Sequence, residues 1–515
     1  MSGGFRSRSK SGDKPKEPAR DVAQPGRKQR DEQRQTGGPR HVRRGGSQRG
    51  GSQRGGAPHS APEKKPSLLK AARAAGVDVP RAVAYETLLR VETDNAFANL
   101  VLPKALSAAH VEGRDAAFAT EITYGTLRTL GVLDAVIGEC ASRGIDDMAP
   151  EVLTALRLGT YQVMYTRVEP HAAVDTTVRL VEAADQERAK GFANGIMRTI
   201  TRTPAQVWLE KLQPAGEIPA IAFRNAHPTW IAESFARSVG IGELEAALAA
   251  DSERPIVHLV ARPGEITAEE LALMTGNEEG RYSPYAVYME HGDPADLEPV
   301  KERLAAVQDE GSQLIARAVT EAELDGPDTG RWLDLCAGPG GKAALMGAIA
   351  RIEGAHVDAV EVSPHRAKLV STTSAGLPVT VHVADGRSPG LEAGYDRVLV
   401  DAPCSGLGAL RRRPEARWRK AESDIAELAP LQFELLESAL HLVRPGGVVI
   451  YSTCSPDLRE TRDIVDRAVT ELGAVELDAH ALIPDMGDTG RFHSVQMWPH
   501  RHGTDAMFFA ALRRG

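Results

Sequence analysis

The sequence predicts a multidomain chain: an all-α bundle, then a small α+β connecting subdomain, then a doubly wound α/β domain. Three observations predict it. Apolar residues recur at three- and four-residue spacing over 67–205, short apolar runs each followed by a helical or loop segment fill 308–515, and 1–66 has one aromatic residue, Phe5. The length of 515 residues agrees with three or four units at roughly 100–200 residues each.

The first 66 residues hold 17 Lys/Arg against six Asp/Glu, within a chain of net charge -8, and repeat GGSQR-GGSQR-GGAPH from Gly45 to His59. Such a segment buries too little apolar surface to offset ordering its backbone, so a disordered basic Gly/Arg-rich tail is expected over 1–66. It reads as an electrostatic arm that holds RNA weakly and in a salt-dependent way. Four scattered cysteines with no CxxC or Cys/His ligand pair predict a reducing, cytoplasmic setting and no metal site. MSGGFRSRSK has no apolar core of a signal peptide, and no apolar run approaches the ~18 residues of a membrane span, so no membrane association is expected.

Over 67–205 the segments RAVAYETLLRVE, FATEITYGTLRTLGVLDAVIGEC, PEVLTALRLGTYQVMY, HAAVDTTVRLVEAA and GFANGIMRTI follow one another with short connections and no alternating strand run. They predict a helical bundle. Over 206–307 a helical piece after His227-Pro228 mixes with the short apolar runs PIVHLVAR and YAVYME. From residue 308 the runs RWLDLC, HVDAVEV, VTVHVA, YDRVLVD and GGVVIYSTC read as buried parallel strands alternating with helices, a Rossmann-like sheet whose chemistry belongs at the strand carboxyl ends.

The first of these strands runs into Asp334-Leu335-Cys336-Ala337-Gly338-Pro339-Gly340-Gly341-Lys342 and then a helix. Glycines there let the backbone turn tightly and approach a ligand, with a helix N-terminus facing it. Glu361 closes the second strand, placed to accept from a ribose diol; Asp385 closes the third and Asp401 the fourth. The glycine spacing departs from that of dinucleotide sites, and Pro339 removes an amide that would cradle a pyrophosphate. S-adenosylmethionine, with a ribose and an amino acid but no phosphate, fits better.

Cys404, in DAPCSG, follows the fourth strand, and Cys454, in STCS, follows the fifth. Adjacent strands would bring both thiols to one cleft beside the cofactor. Cys140 and Cys336 read instead as small apolar residues. Methylating a pyrimidine at C5 needs a thiolate that adds at C6, so that C5 becomes nucleophilic. One cysteine can make that addition, and a second can help expel the product. Asp401 can hydrogen-bond the cytosine edge, with Lys342 biasing its charge.

With these residues in view, 307–512 resembles the bacterial Sun/RsmB-type RNA cytosine-C5 methyltransferases. VQDEGSQ, LDLCAGPGGK, ADGR, DAPCSGLG followed by RRRPEARW, ELAPLQFELLESAL and STCS occur in that family's order. YGTLRTLGVLD, ALRLGTYQVMYTRVEPHAAVDTTV and FANGIMR are similar to the NusB-like RNA-binding domain that this subgroup carries, and HPTWI fits its connecting region. The resemblance implies Cys454 as nucleophile and Cys404 as the thiol assisting product release. It implies contacts to S-adenosylmethionine from Cys336, Ala337, Gly338, Pro339, Gly340, Gly341, Lys342, Glu361, Asp385 and Asp401, with Lys342 and Asp401 also near the base. It implies RNA as the substrate, 16S rRNA or a small-subunit assembly intermediate; a monomer is expected. Ala343 replaces the family's usual Thr, and Glu361 stands where Asp is commoner. RFHSVQMWPH and DAMFFAALR match only loosely. The same chemistry on tRNA, and a non-catalytic RNA-binding assembly factor, are the alternatives.

Overall fold

The computed structural model describes residues 67–514; the basic tail expected over 1–66 lies outside the described residues. Eight α-helices run between Leu68 and Thr201. Among them Pro150–Tyr165 is central, because every residue from Val152 to Gln162 is buried and a helix without a polar face cannot sit at the surface. Its one buried cation, Arg157, is held by Asp134 at 2.6 Å and Glu92 at 3.0 Å. Small residues let the neighbours close in: a Cβ on Gly159 would meet Thr177 Oγ1 at 2.1 Å.

The region after the bundle mixes helix and strand but holds more helix than the single piece expected after Pro228. Helices Ala205–Leu212, Glu217–Arg224, Thr229–Val239 and Ile241–Ser252 precede a four-stranded antiparallel sheet built from Val257–Ala261, Glu278–Glu279, Ala286–Met289 and Ala305–Val307. Two of these helices have only eight residues, too few turns for an apolar period to declare itself. Trp208 packs into the core of the bundle, whereas Phe235, Leu244 and Leu248 share a cluster with Leu407, Leu410 and Trp498 of the last domain.

That last domain is built on strands β1 (Arg331–Asp334), β2 (His356–Val360), β3 (Val379–His382), β4 (Tyr395–Asp401), β5 (Val443–Thr453), β6 (Val475–Leu477) and β7 (Phe508–Arg513). Their order across the sheet is β6-β7-β5-β4-β1-β2-β3, and a short strand Val495–Gln496 pairs with β7. β1 to β5 pair in parallel, and β7 enters antiparallel to both β5 and β6. Parallel strands covered on both faces must be apolar throughout: six of the seven residues of β4 are buried.

The chain after β4 leaves the sheet through two short turns, Leu407–Arg412 and Pro414–Trp418, and reaches the helical bundle. Trp418 Nε1 donates to Leu127 O at 2.7 Å, and Glu415 accepts from Ala98 N at 2.9 Å, at the start of helix Ala98–Ala109. Arg417, with no exposed surface, pairs with the equally buried Asp251 at 2.8 Å and donates to Ala226 O at 3.0 Å. One segment therefore ties the loop that carries Cys404 to both preceding regions.

Candidate active site

β1 stops at Asp334 because the next residues turn back over the strand end. Ala337 N donates to Val360 O at 2.9 Å, which holds the turn beside β2, and Gly340 takes φ 117° before helix Gly341–Glu353 begins. The glycines are sterically required. A Cβ on Gly338 would lie 2.2 Å from Glu361 Oε2, and one on Gly340 would lie 2.9 Å from Val370 Cα. Glu361 follows β2 directly, is 4% exposed, and accepts from Gly338 N at 3.1 Å and Ser363 N at 2.9 Å. Arg366 leans on the same turn, donating to Gly338 O.

Asp385 sits three residues beyond the end of β3 at His382, where the sequence reading has it closing the strand. It lies in the following turn, where Arg387 engages it at 2.7 Å and holds its carboxyl below the usual range. The polar turn ADGR ends the strand early because its side chains bond to their own backbone, as Arg387 N does to Asp385 Oδ1 at 3.0 Å.

Lys342, in the first turn of the helix after β1, reaches across to Asp401 at the end of β4, with Nζ 2.8 Å from Oδ2. Burial pulls the ammonium down, but Asp401 outweighs it and leaves Lys342 above its ordinary value. Ser452 Oγ donates to the other oxygen, Oδ1, at 3.0 Å. The two thiols meet beside this pair, with Cys404 Sγ 3.4 Å from Cys454 Sγ. The loops align because β4 and β5 are paired in register and Gly408 N donates to Cys454 O at 2.9 Å. Cys404 is held well above an ordinary thiol, by its hydrogen bond to Cys454 first and by burial second, so it keeps its proton. Cys336 is also pushed well up, by burial and then by the charge of Asp334. It keeps its proton, and its side chain packs against the apolar core at the strand end.

The sequence reading gave no role to Asp334, which borders the turn. Its carboxyl is 1% exposed; Oδ1 accepts from Cys336 N at 3.3 Å and Oδ2 has no partner. Burial, then the charge of Asp401, raise it to about 7. Gln432 was visible only as part of ELAPLQFELLESAL; it donates to Pro403 O at 2.9 Å and so steadies the loop of Cys404. Ser452 was visible only as the first residue of STCS, and no sequence signal marked Glu460. Among the described residues no group of three or more His, Cys, Asp or Glu could hold a metal ion, and no helix is long and apolar enough to cross a membrane.

Comparison with known proteins places the chain. The family model described as 16S rRNA methyltransferase RsmB/F matches residues 322–513, and the NusB family model matches residues 78–202. A Mycobacterium tuberculosis protein named as a methyltransferase is 55% identical over 444 residues, covering 85% of this chain and 97% of that one. The ribosomal RNA small subunit methyltransferase B of Cronobacter sakazakii is 31% identical over 445 residues, covering 84% and 98%. The crystal structure of PH0851 shares the fold at a TM-score of 0.71 and 22% identity, covering 84% of this chain and 98% of that one.

Proposed function

The chain belongs to the 16S rRNA methyltransferase RsmB/F family, and on that premise we propose that it methylates C5 of a cytosine in 16S ribosomal RNA through a covalent adduct on Cys454. As a member of that family it is an S-adenosylmethionine-dependent RNA methyltransferase, and its N-terminal bundle belongs to the NusB family. The observation that carries the finer reading is the pair of thiols 3.4 Å apart beside Lys342 and Asp401.

The residues of the glycine turn fit S-adenosylmethionine. Asp334 offers a buried carboxyl with an orphaned oxygen, suited to a cationic group. Gly338 leaves open the space that a side chain would take from Glu361, which stands ready for a ribose. Cys336 to Lys342, Glu361, Asp385 and Asp401 would hold the cofactor, which when bound supplies an electrophilic methyl group.

This chain's own residues then act on the base. Cys404, held well above an ordinary thiol, keeps its proton and lies within hydrogen-bond reach of Cys454, which leaves the Cys454 sulfur as the nucleophile. The Cys454 thiolate forms a bond to C6, and the ring electrons move to C5 and the carbonyl edge. Asp401, oriented by Lys342 and Ser452, would hydrogen-bond the ring edge that carries donors and so hold the base in place. After C5 is methylated, water acting as base takes the C5 proton, the C5–H electrons restore the C5–C6 double bond, and the C6–S electrons return to Cys454 as thiolate; Cys404 assists this release.

The test is a map of 5-methylcytosine in total RNA from cells with and without the protein. Loss of one position in 16S rRNA is expected. Loss confined to a tRNA, or no loss at any cytosine, would overturn the assignment.

A further inference from the structure

Under the two thiol loops lies a carboxylate that the chemistry above leaves unused. Glu460, in the turn Leu458–Glu460 after β5, has no exposed surface. Its Oε1 accepts from Ser405 N at 2.7 Å and from Gln432 Nε2 at 3.0 Å, and its Oε2 accepts from Ser405 Oγ. Ser405 follows Cys404, and its hydroxyl lies 3.3 Å from that of Ser455, which follows Cys454. Gln432 also donates to Pro403 O, on the other side of Cys404, at 2.9 Å, and Tyr451 OH donates to Glu460 O at 2.7 Å.

All of these donors to the carboxylate are neutral. The adjacent Arg459 is engaged by Asp457 and Glu422 instead, both at 2.8 Å. A buried charge satisfied only by neutral donors keeps its field, and in a medium of low dielectric that field reaches its neighbours at strength. The neighbours are unequal. Beyond the hydrogen bond to Cys454 and burial, Glu460 and Asp401 both oppose ionisation of Cys404, while the Lys342 ammonium interacts with Cys454. Tyr451, kept neutral by burial, completes the surroundings of Cys404.

We propose that Glu460 is a positioning residue that biases the proton of the thiol pair toward Cys404. Tied to both chain neighbours of Cys404 and, through Ser405 and Ser455, to the loop of Cys454, it holds Cys404 as the S–H donor and leaves Cys454 as the attacking sulfur. The inference rests on the proposed role of Cys454 as nucleophile.

The experiment is site-resolved alkylation with iodoacetamide on the full chain, read by peptide mass spectrometry across about pH 6 to 10. In the wild type Cys404 is expected to resist alkylation until high pH. Glu460→Gln keeps the shape and removes the charge; the onset for Cys404 should fall by about one pH unit, giving about tenfold more Cys404 alkylation at a fixed pH below it. Glu460→Asp keeps the charge and should retain the wild-type onset. An unchanged Cys404 onset in a folded Glu460→Gln variant overturns the proposal. Should that variant fail to fold, Ser405→Ala cuts the hydroxyl tie alone. It should lower the Cys454-to-Cys404 selectivity by about threefold, and an unchanged ratio would overturn the proposal equally. The underlying reading fails separately, by an RNA adduct that persists in Cys454→Ala.

Discussion

Affinity for S-adenosylmethionine should depend on the proton of Asp334. Its carboxyl is raised to about 7, by burial first and by the Asp401 charge second, against an opposing pull from Lys342 and a further push from Glu361. A cationic ligand group against the orphaned Oδ2 favours the ionised form, so binding below that value must expel a proton. Affinity therefore falls with pH, by about tenfold per unit below 7, and by about a hundredfold or ~2.7 kcal/mol two units below it. The unliganded fold responds in the opposite sense. A carboxyl raised from 3.8 to about 7 in the folded chain destabilises it by about 4 kcal/mol once ionised, so that stability is lost as pH climbs through that window. Calorimetric titration of the cofactor from about pH 5.5 to 8.5, in buffers of different ionisation enthalpy, measures both affinity and protons released. About one proton released below pH 7 is expected, with Asp334→Asn giving a flat profile at the weak, low-pH affinity. A wild-type affinity independent of pH, or an Asp334→Asn variant that keeps the dependence, would refute the reasoning.

Three further outcomes follow from the same geometry. Gly338→Ala drives a methyl into Glu361 Oε2, with a Cβ 2.2 Å away, and should cost about 1–3 kcal/mol of cofactor binding, about 5- to 150-fold, in calorimetry. Glu361→Ala should weaken S-adenosylmethionine binding while NAD binding stays negligible; tight NAD binding to either protein would overturn the choice of cofactor. Arg417→Ala removes the cation from the buried Asp251, leaving it only the His227 ring, and should lower stability by about 3–5 kcal/mol in chemical denaturation, whereas Arg417→Met should lose less.

Much of the candidate site was legible because parallel strands announce themselves as apolar runs: Gly338, Glu361, Asp401, Cys404 and Cys454 could each be placed by counting from a strand end. Asp385 slipped by three residues because ADGR bonds to itself before the strand would otherwise end. Contacts that span the whole chain were not legible. Trp418 and Leu127 lie 291 positions apart, and nothing local in RRRPEARW says that its arginine and tryptophan serve the helical bundle. Asp334 and Glu460 were missed for a related reason. An acid in a sequence reads as a surface residue, and only the packed loops turn these two into buried carboxyls whose charge acts on the cofactor turn and on the thiols.

The central claim is a division of labour between two sulfurs 3.4 Å apart, and a denaturing gel of the full chain incubated with 16S rRNA and S-adenosylmethionine tests it most directly. Cys404→Ala should still add to the base and accept the methyl group but stall at release, so that a denaturant-resistant protein–RNA species accumulates. Cys454→Ala should give neither that species nor methylated RNA. An adduct that builds up with Cys454→Ala and not with Cys404→Ala would exchange the roles, and methylation retained without an adduct in either variant would remove covalent catalysis from the account.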